Sequence, residues 1–314
     1  MSVVYVVCQD LNVASGGIKK LYELVDTLNK NQITSYILHN DLSFKASWFI
    51  NSTRIMDVKS AKVTYDDIII FPEVFGENIM HYWPGVRKII LSQNSYYALQ
   101  MFYGKPQMTK EVYLHKDVVQ VVVVSDYDFD LFSWLFPKIK LSKICYGIDT
   151  ALFHFNPNKK KEVAVMPRKL PSDFNFLHNL LKVKDDLGGF SIKMIDEVSY
   201  EECAQILRDS AIFLSFSHKE GFGLPPAEAM ACGCIVIGYH GQGGKEFFKR
   251  ELSYPVEPWD MMSYAQILTS VIDEFNTVPE IMQQTGKDAS EYILTKHSMA
   301  NQERSILNMI REQL

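Results

Sequence analysis

Two glutamates flank a short loop of glycine and proline in the second half of the chain. Residues 220–234 read EGFGLPPAEAMACGC, which places Glu220 and Glu228 eight positions apart. A glycine loop that opens a helix offers backbone N–H groups and the positive end of the helix dipole, a combination that favours phosphate. Ionised carboxylates accept hydrogen bonds and donate none, so the glutamates suit the vicinal hydroxyls of a ribose or a pyranose. The stretch therefore predicts a ligand with phosphate and sugar hydroxyls, as in a nucleotide sugar.

The same residues also have a purely structural interpretation. In it, Glu228 only complements the helix dipole and Glu220 is a solvated loop charge. Proline fits the first turn of a helix and not its interior, so we expect the helix to begin near Pro226 and to stop at Gly233. The spacing, the glycines and the preceding apolar run AIFLSF occur together, and this favours the ligand-binding interpretation.

Strand-like and helical patterns alternate along the chain and indicate an α/β fold. Unbroken apolar runs in the first half predict strands buried on both faces of a parallel sheet, namely Val3–Cys8, Ile33–His39, Asp67–Phe71, Arg87–Leu91 and Val118–Val124. A helix between the first two would bury one apolar face, with Ser15 as its N-cap. This order is typical of a doubly wound domain.

The pattern restarts after a Pro/Asn/Lys stretch, so we predict two Rossmann-like domains, residues 1–155 and 156–297, joined through Asn156–Lys161. Further strands are predicted at EVAVMP, FSIKMI, AIFLSF and CIVIGY. Helices are predicted near 173–184 and 200–208, from Gly244, and over 259–276, 279–294 and 298–313. The last of them, about 298–314, would pack back onto the first domain.

Composition limits the class of protein. The chain has 314 residues, 47% of them hydrophobic and 22% charged, which suits a soluble globular protein of two domains. A net charge of −5 argues against nucleic acid as the main partner. The five scattered cysteines suggest reduced thiols, and their spacing matches no zinc site. With no leader pattern and no long apolar segment, we expect a cytoplasmic protein.

Several segments together resemble a known family. SHKEGFGLPPAEAMACGCIVIGYHGQGGKEF resembles the E-x7-E signature of retaining glycosyltransferases with the GT-B fold, specifically family 4. ASGGIKKLYEL is similar to that family's glycine loop, and VAVMPRK is similar to the basic segment that opens its second domain. SDYDFDLF followed by KICYGIDTALF resembles the stretch before its interdomain linker. The similarity spans most of the chain and is most specific over residues 196–248.

The resemblance implies a fold and a reaction. The fold would be GT-B, with two Rossmann-like domains facing across a cleft, the first binding the acceptor and the second binding the nucleotide sugar. The reaction would move a hexosyl-type sugar from a nucleoside diphosphate donor to a hydroxyl acceptor, with retained anomeric configuration and without a metal or other cofactor. The acceptor would be a carbohydrate, or a lipid-linked or protein-linked glycan, in bacterial polysaccharide, glycolipid or glycoprotein synthesis.

The resemblance also assigns three catalytic residues. Glu220 would face the transferred sugar, while Arg168 and Lys169 would neutralise the diphosphate leaving group. In many relatives the basic pair is an arginine with a lysine several residues later, whereas these two residues adjoin, which puts the role of Lys169 in question. From composition alone, both could belong to a solvated basic loop.

The remaining assignments concern the donor and the acceptor. Glu228 would bind the ribose hydroxyls, the 196–199 segment would contact the base, and the glycine loop would approach the diphosphate. The donor-binding residues are therefore Gly16, Gly17, Glu197, Val198, Phe222, Gly223, Leu224 and Glu228. Where relatives often carry a histidine near the reacting sugar, this chain has Gln93 and Asn94, which could hydrogen-bond an acceptor or sugar hydroxyl.

Two alternatives stay open at this point. The chain could be a non-catalytic subunit that binds a nucleotide sugar, or another GT-B enzyme such as a nucleotide-sugar epimerase. Residues 17–31, with Lys19, Lys20 and Lys30, could dock at the inner face of a membrane, although a buried Rossmann-type helix is the favoured interpretation.

Overall fold

The computed structural model describes residues 2–41, 43–184 and 187–314. The chain divides into two compact units. The first comprises Met1–Tyr146 with Ala300–Leu314, and the second comprises Gly147–Met299. The domain boundary that we predicted lies at residues 155/156, later in the chain than the observed change of unit. Within the described residues, no helix is both long and apolar enough to cross a membrane.

The first unit is built on a parallel sheet of seven strands. These are β1 (Val4–Val7), β2 (Ser35–His39), β3 (Ile55–Asp57), β4 (Ile68–Pro72), β5 (Arg87–Ser92), β6 (Val118–Val123) and β7 (Leu141–Lys143). Their order is β3-β2-β1-β4-β5-β6-β7, and every pairing is parallel. The order reverses between β1 and β4, which is the topological switch point of a doubly wound fold.

Four helices and a 3-10 segment connect these strands. They are α1 (Gly16–Lys30), the 3-10 segment Glu73–Met80, α2 (Ser95–Gln100), α3 (Pro106–Tyr113) and α4 (Asp126–Leu135). In α1 the apolar side chains Ile18, Leu21, Val25 and Leu28 are all buried, as the helical pattern predicted. Lys20 is buried as well, so α1 is the packed Rossmann-type helix and not a basic surface helix. Ser15 stands at the N-cap, but its side chain makes no capping hydrogen bond.

The second unit has a parallel sheet of five strands. They are β8 (Lys160–Val165), β9 (Ser191–Met194), β10 (Ser210–Ser215), β11 (Ile235–Gly238) and β12 (Ser253–Pro255), in the order β12-β11-β10-β8-β9. Its helices are α5 (Pro171–Lys184), α6 (Tyr200–Asp209), α7 (Leu224–Ala231), α8 (Met261–Thr277) and α9 (Pro279–Lys296). A last helix, α10 (Met299–Arg311), follows. Here the switch point lies between β8 and β10.

Helix α10 belongs mainly to the first unit. Gln302 accepts a hydrogen bond from the buried Lys20 ammonium at 2.9 Å, and Glu303 pairs with Lys30 at 2.8 Å. Beyond the helix, the Gln313 carbonyl accepts a hydrogen bond from Arg87. The first unit is thus completed by the last residues of the chain.

The segment that we predicted as a linker lies inside the second unit. The Asn156 N–H donates to the Cys232 carbonyl, and the Lys159 ammonium donates to the carbonyls of Leu207 and Arg208 at the end of α6. Lys160 already belongs to β8. Polar side chains that suggested a solvated linker are used here to satisfy the carbonyls that a helix C-terminus leaves unpaired.

One predicted helix was wrong, and another begins slightly earlier than predicted. Helix α7 begins at Leu224, two residues before Pro226, because the first positions of a helix need no N–H donor and so accept both prolines. The helix that we predicted from Gly244 is only a 3-10 turn, Gly243–Glu246. Gly233 ends α7, as predicted. Its N–H donates to the Met230 carbonyl, and the N–H of Cys234 donates to the Ala229 carbonyl, as in a Schellman motif.

This helix end lies against α9. A Cβ atom on Gly286 of α9 would lie 2.4 Å from the carbonyl oxygen of Gly233, far inside van der Waals contact. Only a glycine at position 286 lets α9 approach the end of α7 this closely.

We expect Gly286→Ala to lower the free energy of unfolding by about 1–3 kcal/mol, because the added methyl would push the helices apart. Without this contact, alanine would stabilise the helix interior by about 1 kcal/mol. Urea unfolding of the purified protein measures the difference. The control is Lys287→Ala, an exposed neighbour expected to change stability by less than about 0.5 kcal/mol. A more stable Gly286→Ala protein would contradict the close packing.

Candidate functional site

The switch point of the second sheet positions the predicted catalytic residues. Strands β8 and β10 are adjacent and parallel, so the segments that follow them emerge at the same edge of the sheet. The segment after β8 contains the 3-10 turn Pro167–Lys169, and the segment after β10 leads to Glu220. In open α/β sheets, ligands bind at this edge, beside the strands where the order reverses.

Lys169 and Glu220 meet at this edge. The Lys169 ammonium lies 2.5 Å from Glu220 Oε1, and the Ser217 hydroxyl donates to the same oxygen at 2.7 Å. The two charged side chains are 36% and 17% exposed. A partly exposed ion pair contributes only about 0–1 kcal/mol to stability, so a ligand can exchange with either partner at little cost.

The backbone of Glu220 is fixed by the loop after β11. The Glu220 N–H donates to the Gly241 carbonyl at 2.8 Å, and the Gly243 N–H donates to the Glu220 carbonyl at 3.1 Å. A Cβ at Gly243 would lie 1.9 Å from the Gly221 carbonyl oxygen, so this approach requires glycine. Gln242, which lies between Gly241 and Gly243, has φ 71° and ψ −61°, a conformation that non-glycine residues rarely adopt. Such strain is frequent at functional sites.

Helix α7 begins directly after the segment that follows β10 and carries Glu220. Its N-cap, Gly223, has φ 93°, a left-handed conformation that glycine adopts without steric cost. Phe222 is buried against Phe247 and His297, with ring centroids 5.3 and 4.8 Å away. The turn over Phe222, Gly223 and Leu224 is therefore anchored by an aromatic side chain, and the first turn of α7 follows it at the carboxyl edge of the sheet.

Glu228 lies one turn into α7 and is buried, with 7% of the residue exposed. Its Oε1 accepts a hydrogen bond of 2.7 Å from the hydroxyl of Tyr200, the first residue of α6. The carboxylate also raises the pKa of the Cys203 thiol, although burial is the larger cause. Glu228 thus faces the N-terminal half of α6.

The other predicted residues of this unit lie on two neighbouring segments. Arg168 is exposed in the 3-10 turn, next to Lys169. Glu197 and Val198 precede α6, and Glu197 has φ 52°, uncommon for a residue with a side chain. The turn ends at the Ser199 N-cap, where the Ser199 hydroxyl and the Glu202 side chain form a capping box.

In the first unit, two of the predicted residues, Gly17 and Gln93, meet beside the switch point of their sheet. The Gln93 side-chain amide donates to the Gly17 carbonyl at 3.1 Å, and a Cβ on Gly17 would lie 2.4 Å from Gln93 Oε1. Gly16 is the first residue of α1. Asn94 is the N-cap of α2 and accepts from the Tyr96 N–H at 3.0 Å. Their contacts with a sugar or a phosphate remain predictions.

Glu73 is a buried residue that accepts a hydrogen bond from the backbone of Gln93. It is 2% exposed, and its Oε2 accepts the Gln93 N–H at 2.9 Å. Burial raises the pKa of this carboxyl to about 8, and the nearby Asp128 adds to the shift. The carboxyl of Glu73 is therefore protonated at neutral pH and still accepts this hydrogen bond.

The sequence missed Ser217 and Tyr200, each of which contacts a predicted glutamate. Ser217 lies three residues before Glu220 and could have been found from that spacing. Tyr200 lies 28 positions before Glu228, so only the packing of α6 on α7 reveals it. The described part of the chain contains no cluster of three or more His, Cys, Asp or Glu side chains able to hold a metal ion.

Comparison with known proteins finds a family match within the second unit. Residues 183–289 match the family Glycosyl transferases group 1. This segment is a group 1 glycosyl transferase domain. It contains β9 to β12, with Glu197, Glu220 and Glu228, whereas Arg168 and Lys169 precede it. The family that we inferred from the resemblance is therefore confirmed, and its retaining character and family 4 membership remain proposals.

One similar sequence is an alpha-1,6-glucosyltransferase from Actinobacillus pleuropneumoniae serotype 7, 27% identical over 230 residues. The match covers 67% of this chain and 64% of the relative, so the similarity spans less than two thirds of that protein.

Two solved structures share the fold over the whole chain. Sucrose-phosphate synthase from Thermosynechococcus elongatus has a TM-score of 0.72 at 14% identity, covering 99% of both chains. HepE from Anabaena, solved with UDP-glucose, has a TM-score of 0.74 at 12% identity, covering 99% of this chain and 100% of that one. The predicted fold class, a GT-B fold with two parallel-sheet α/β domains, is confirmed.

The buried Glu73 carboxyl predicts a pH-dependent stability. The unfolded carboxyl ionises near its ordinary pKa of 4.5, whereas the folded one stays protonated up to about pH 8. Between these values the unfolded state binds fewer protons, so the contribution of this group is full below pH 4.5 and is lost as the pH rises through 8.

Glu73→Gln keeps an acceptor for the Gln93 N–H but does not titrate. We expect its free energy of unfolding, minus that of the wild type, to increase as the pH rises from about 5 to about 8.5, because the wild type loses stability over this range. The expected gain is on the order of 2–4 kcal/mol, because one pKa unit corresponds to about 1.4 kcal/mol. Urea unfolding across this range measures it. Glu77→Gln, an exposed change in the same 3-10 segment, should show no such trend. A difference between Glu73→Gln and wild type that is independent of pH would contradict the raised pKa.

Proposed function

We propose that this protein transfers a sugar from a nucleoside diphosphate sugar to a hydroxyl acceptor, with retained anomeric configuration. The observation that carries the proposal is the pair of glutamates on either side of the loop that opens α7, with Lys169 bound to one of them at the switch point. The group 1 domain supports a glycosyl transferase. A neighbour solved with UDP-glucose and a relative named as a glucosyltransferase support a nucleotide-sugar donor and a hexosyl group.

Each side chain has a role that its surroundings allow. Glu228, buried and held by Tyr200, binds the ribose hydroxyls, and the turn at Glu197 and Val198 contacts the base. Glu220 binds a hydroxyl of the transferred sugar. On donor binding, Lys169 exchanges its contact with Glu220 for the diphosphate, because a partly exposed ion pair is weak.

Transition-state stabilisation in this proposal is electrostatic. Breaking the glycosidic bond places negative charge on the diphosphate leaving group, and a fixed positive charge beside it lowers the barrier. Arg168 and Lys169 supply that charge without a metal ion. In a retaining reaction on one face of the sugar, the leaving phosphate accepts the proton of the acceptor hydroxyl, so no side chain is needed as a base.

The acceptor follows only from comparison. We propose a carbohydrate, free or linked to lipid or protein, in the synthesis of a bacterial polysaccharide or glycan. Gln93 and Asn94 are the candidates for contact with the acceptor or with the transferred sugar.

A donor panel tests the reaction. Thermal shift with UDP-, GDP-, ADP- and dTDP-sugars identifies the donor, since a ligand that binds only the folded state raises the melting temperature. Transfer to glycan acceptors is then followed by NMR of the anomeric proton in the product. Transfer with retention, in the presence of EDTA, is the expected result. Tight binding without transfer or hydrolysis would identify a binding subunit, release of an epimerised donor would identify an epimerase, and loss of activity in EDTA would overturn metal independence.

We expect Glu228→Ala and Arg168→Ala to affect different steps. Glu228→Ala should weaken donor binding about 10- to 100-fold, because hydrogen bonds to charged groups contribute about 1.5–3 kcal/mol. Arg168→Ala should lower kcat about 100-fold with a smaller effect on KM, because its contact strengthens as charge develops. Glu251→Ala and Arg250→Ala are matched controls, since these exposed residues precede β12 at the opposite edge of the sheet. Wild-type kinetics in both site variants would refute the assignment.

A further inference from the structure

Tyr200 is hydrogen-bonded to Glu228, the proposed ribose-binding carboxylate. Its hydroxyl donates to Glu228 Oε1 at 2.7 Å, across the contact between α6 and α7. We propose that Tyr200 is a positioning residue: it orients the Glu228 carboxylate toward the ribose hydroxyls and thereby sets the preference of this site for a ribonucleotide over a deoxyribonucleotide. The inference rests on the proposed function and deepens it.

Both the backbone and the ring of Tyr200 are held in place by their neighbours. It is the first residue of α6, directly after the Ser199 N-cap, whose capping box with Glu202 fixes the start of the helix. Its ring packs edge-on against Phe153, with centroids 5.2 Å apart and planes at 69°, and Phe153 is fully buried. A side chain restrained at both its backbone and its ring delivers its hydroxyl to one place.

The hydrogen bond from Tyr200 is important for the orientation of Glu228, because this glutamate is buried and its side chain can adopt many rotamers. A glutamate side chain has three rotatable bonds, and a buried carboxylate that lacks a donor is costly. A phenol that donates to a carboxylate makes a charge-assisted hydrogen bond, about twice as strong as a neutral one. Tyr200 uses one of the roughly four acceptor positions of the carboxylate and so decides where the others point.

The same helix start carries the segment that we assign to the base. Glu197, with φ 52°, turns the chain into Val198 and Ser199, and Tyr200 follows. Through Tyr200, the proposed base contact and the proposed ribose contact both depend on the N-terminus of α6. A shift of the α6 N-terminus would therefore move both contacts together.

The test combines variants of the protein with variants of the ligand. Isothermal titration gives Kd for UDP, GDP and ADP and for their 2′-deoxy and 3′-deoxy counterparts, with wild type and Tyr200→Phe. If Tyr200 acts through Glu228, Tyr200→Phe weakens binding of the ribose form about 5- to 30-fold, less than the loss expected for Glu228→Ala, because the carboxylate itself remains. For the counterpart that lacks the hydroxyl bound by Glu228, the loss falls below about twofold, as in a double-mutant cycle.

Two further variants separate positioning from packing. In Glu228→Ala, adding Tyr200→Phe should weaken binding by less than about twofold more, because the acceptor through which Tyr200 acts is already gone. Tyr254→Phe, which removes a hydroxyl from β12 of the same unit, should bind every ligand as the wild type does. Thermal unfolding confirms that each variant is folded.

Each outcome has a clear meaning. If Tyr200→Phe weakens the binding of ribose and deoxyribose ligands equally, or weakens neither, the positioning role is overturned. The proposed function stays intact in both cases. Failure of the wild type to bind any of these diphosphates and any nucleotide sugar of the donor panel overturns the proposed function and this inference with it.

Discussion

The candidate site depends on one constraint, that parallel strands end at the same edge of their sheet. Lys169 and Glu220 are 51 residues apart, and α5, β9 and α6 lie between them. They meet because β8 and β10 pair directly in register, Val165 beside Leu214. The first unit repeats the arrangement, since Gly17 follows β1, Glu73 follows β4 and Gln93 follows β5, and their hydrogen bonds connect the three.

Two buried glutamates show how differently a fold can stabilise the same side chain. Glu73 is fully enclosed and accepts backbone N–H groups, and burial raises its pKa to about 8, so it behaves as a neutral acceptor. Glu228 is buried in α7 and accepts a hydrogen bond from the hydroxyl of Tyr200. The first arrangement suits a structural support for a loop. The second suits a carboxylate that exchanges hydrogen bonds with a ligand.

Much of the fold could be predicted from the sequence, for a physical reason. Strands buried on both faces, such as β4 and β10, must be apolar throughout, so they appear as unbroken runs. The three strands that we missed, β3, β7 and β12, are edge strands of three residues, only partly buried, which leave no such run. The glutamates could be predicted because the loop around them has a distinctive composition. The Tyr200 contact could not, because it depends on how α6 packs against α7.

The course of the chain through the two units has a consequence for the order of folding. The second unit is one continuous segment, and its ends lie side by side: Ile148 pairs with Ser298, and a Cβ at Gly147 would lie 2.9 Å from the Met299 Cα. The first unit needs Gln302, Glu303 and Gln313, which follow the whole of the second unit in the chain. The second unit therefore contains all of its residues in one segment and can fold as a unit, whereas the first unit cannot complete its fold until the chain beyond Met299 is present.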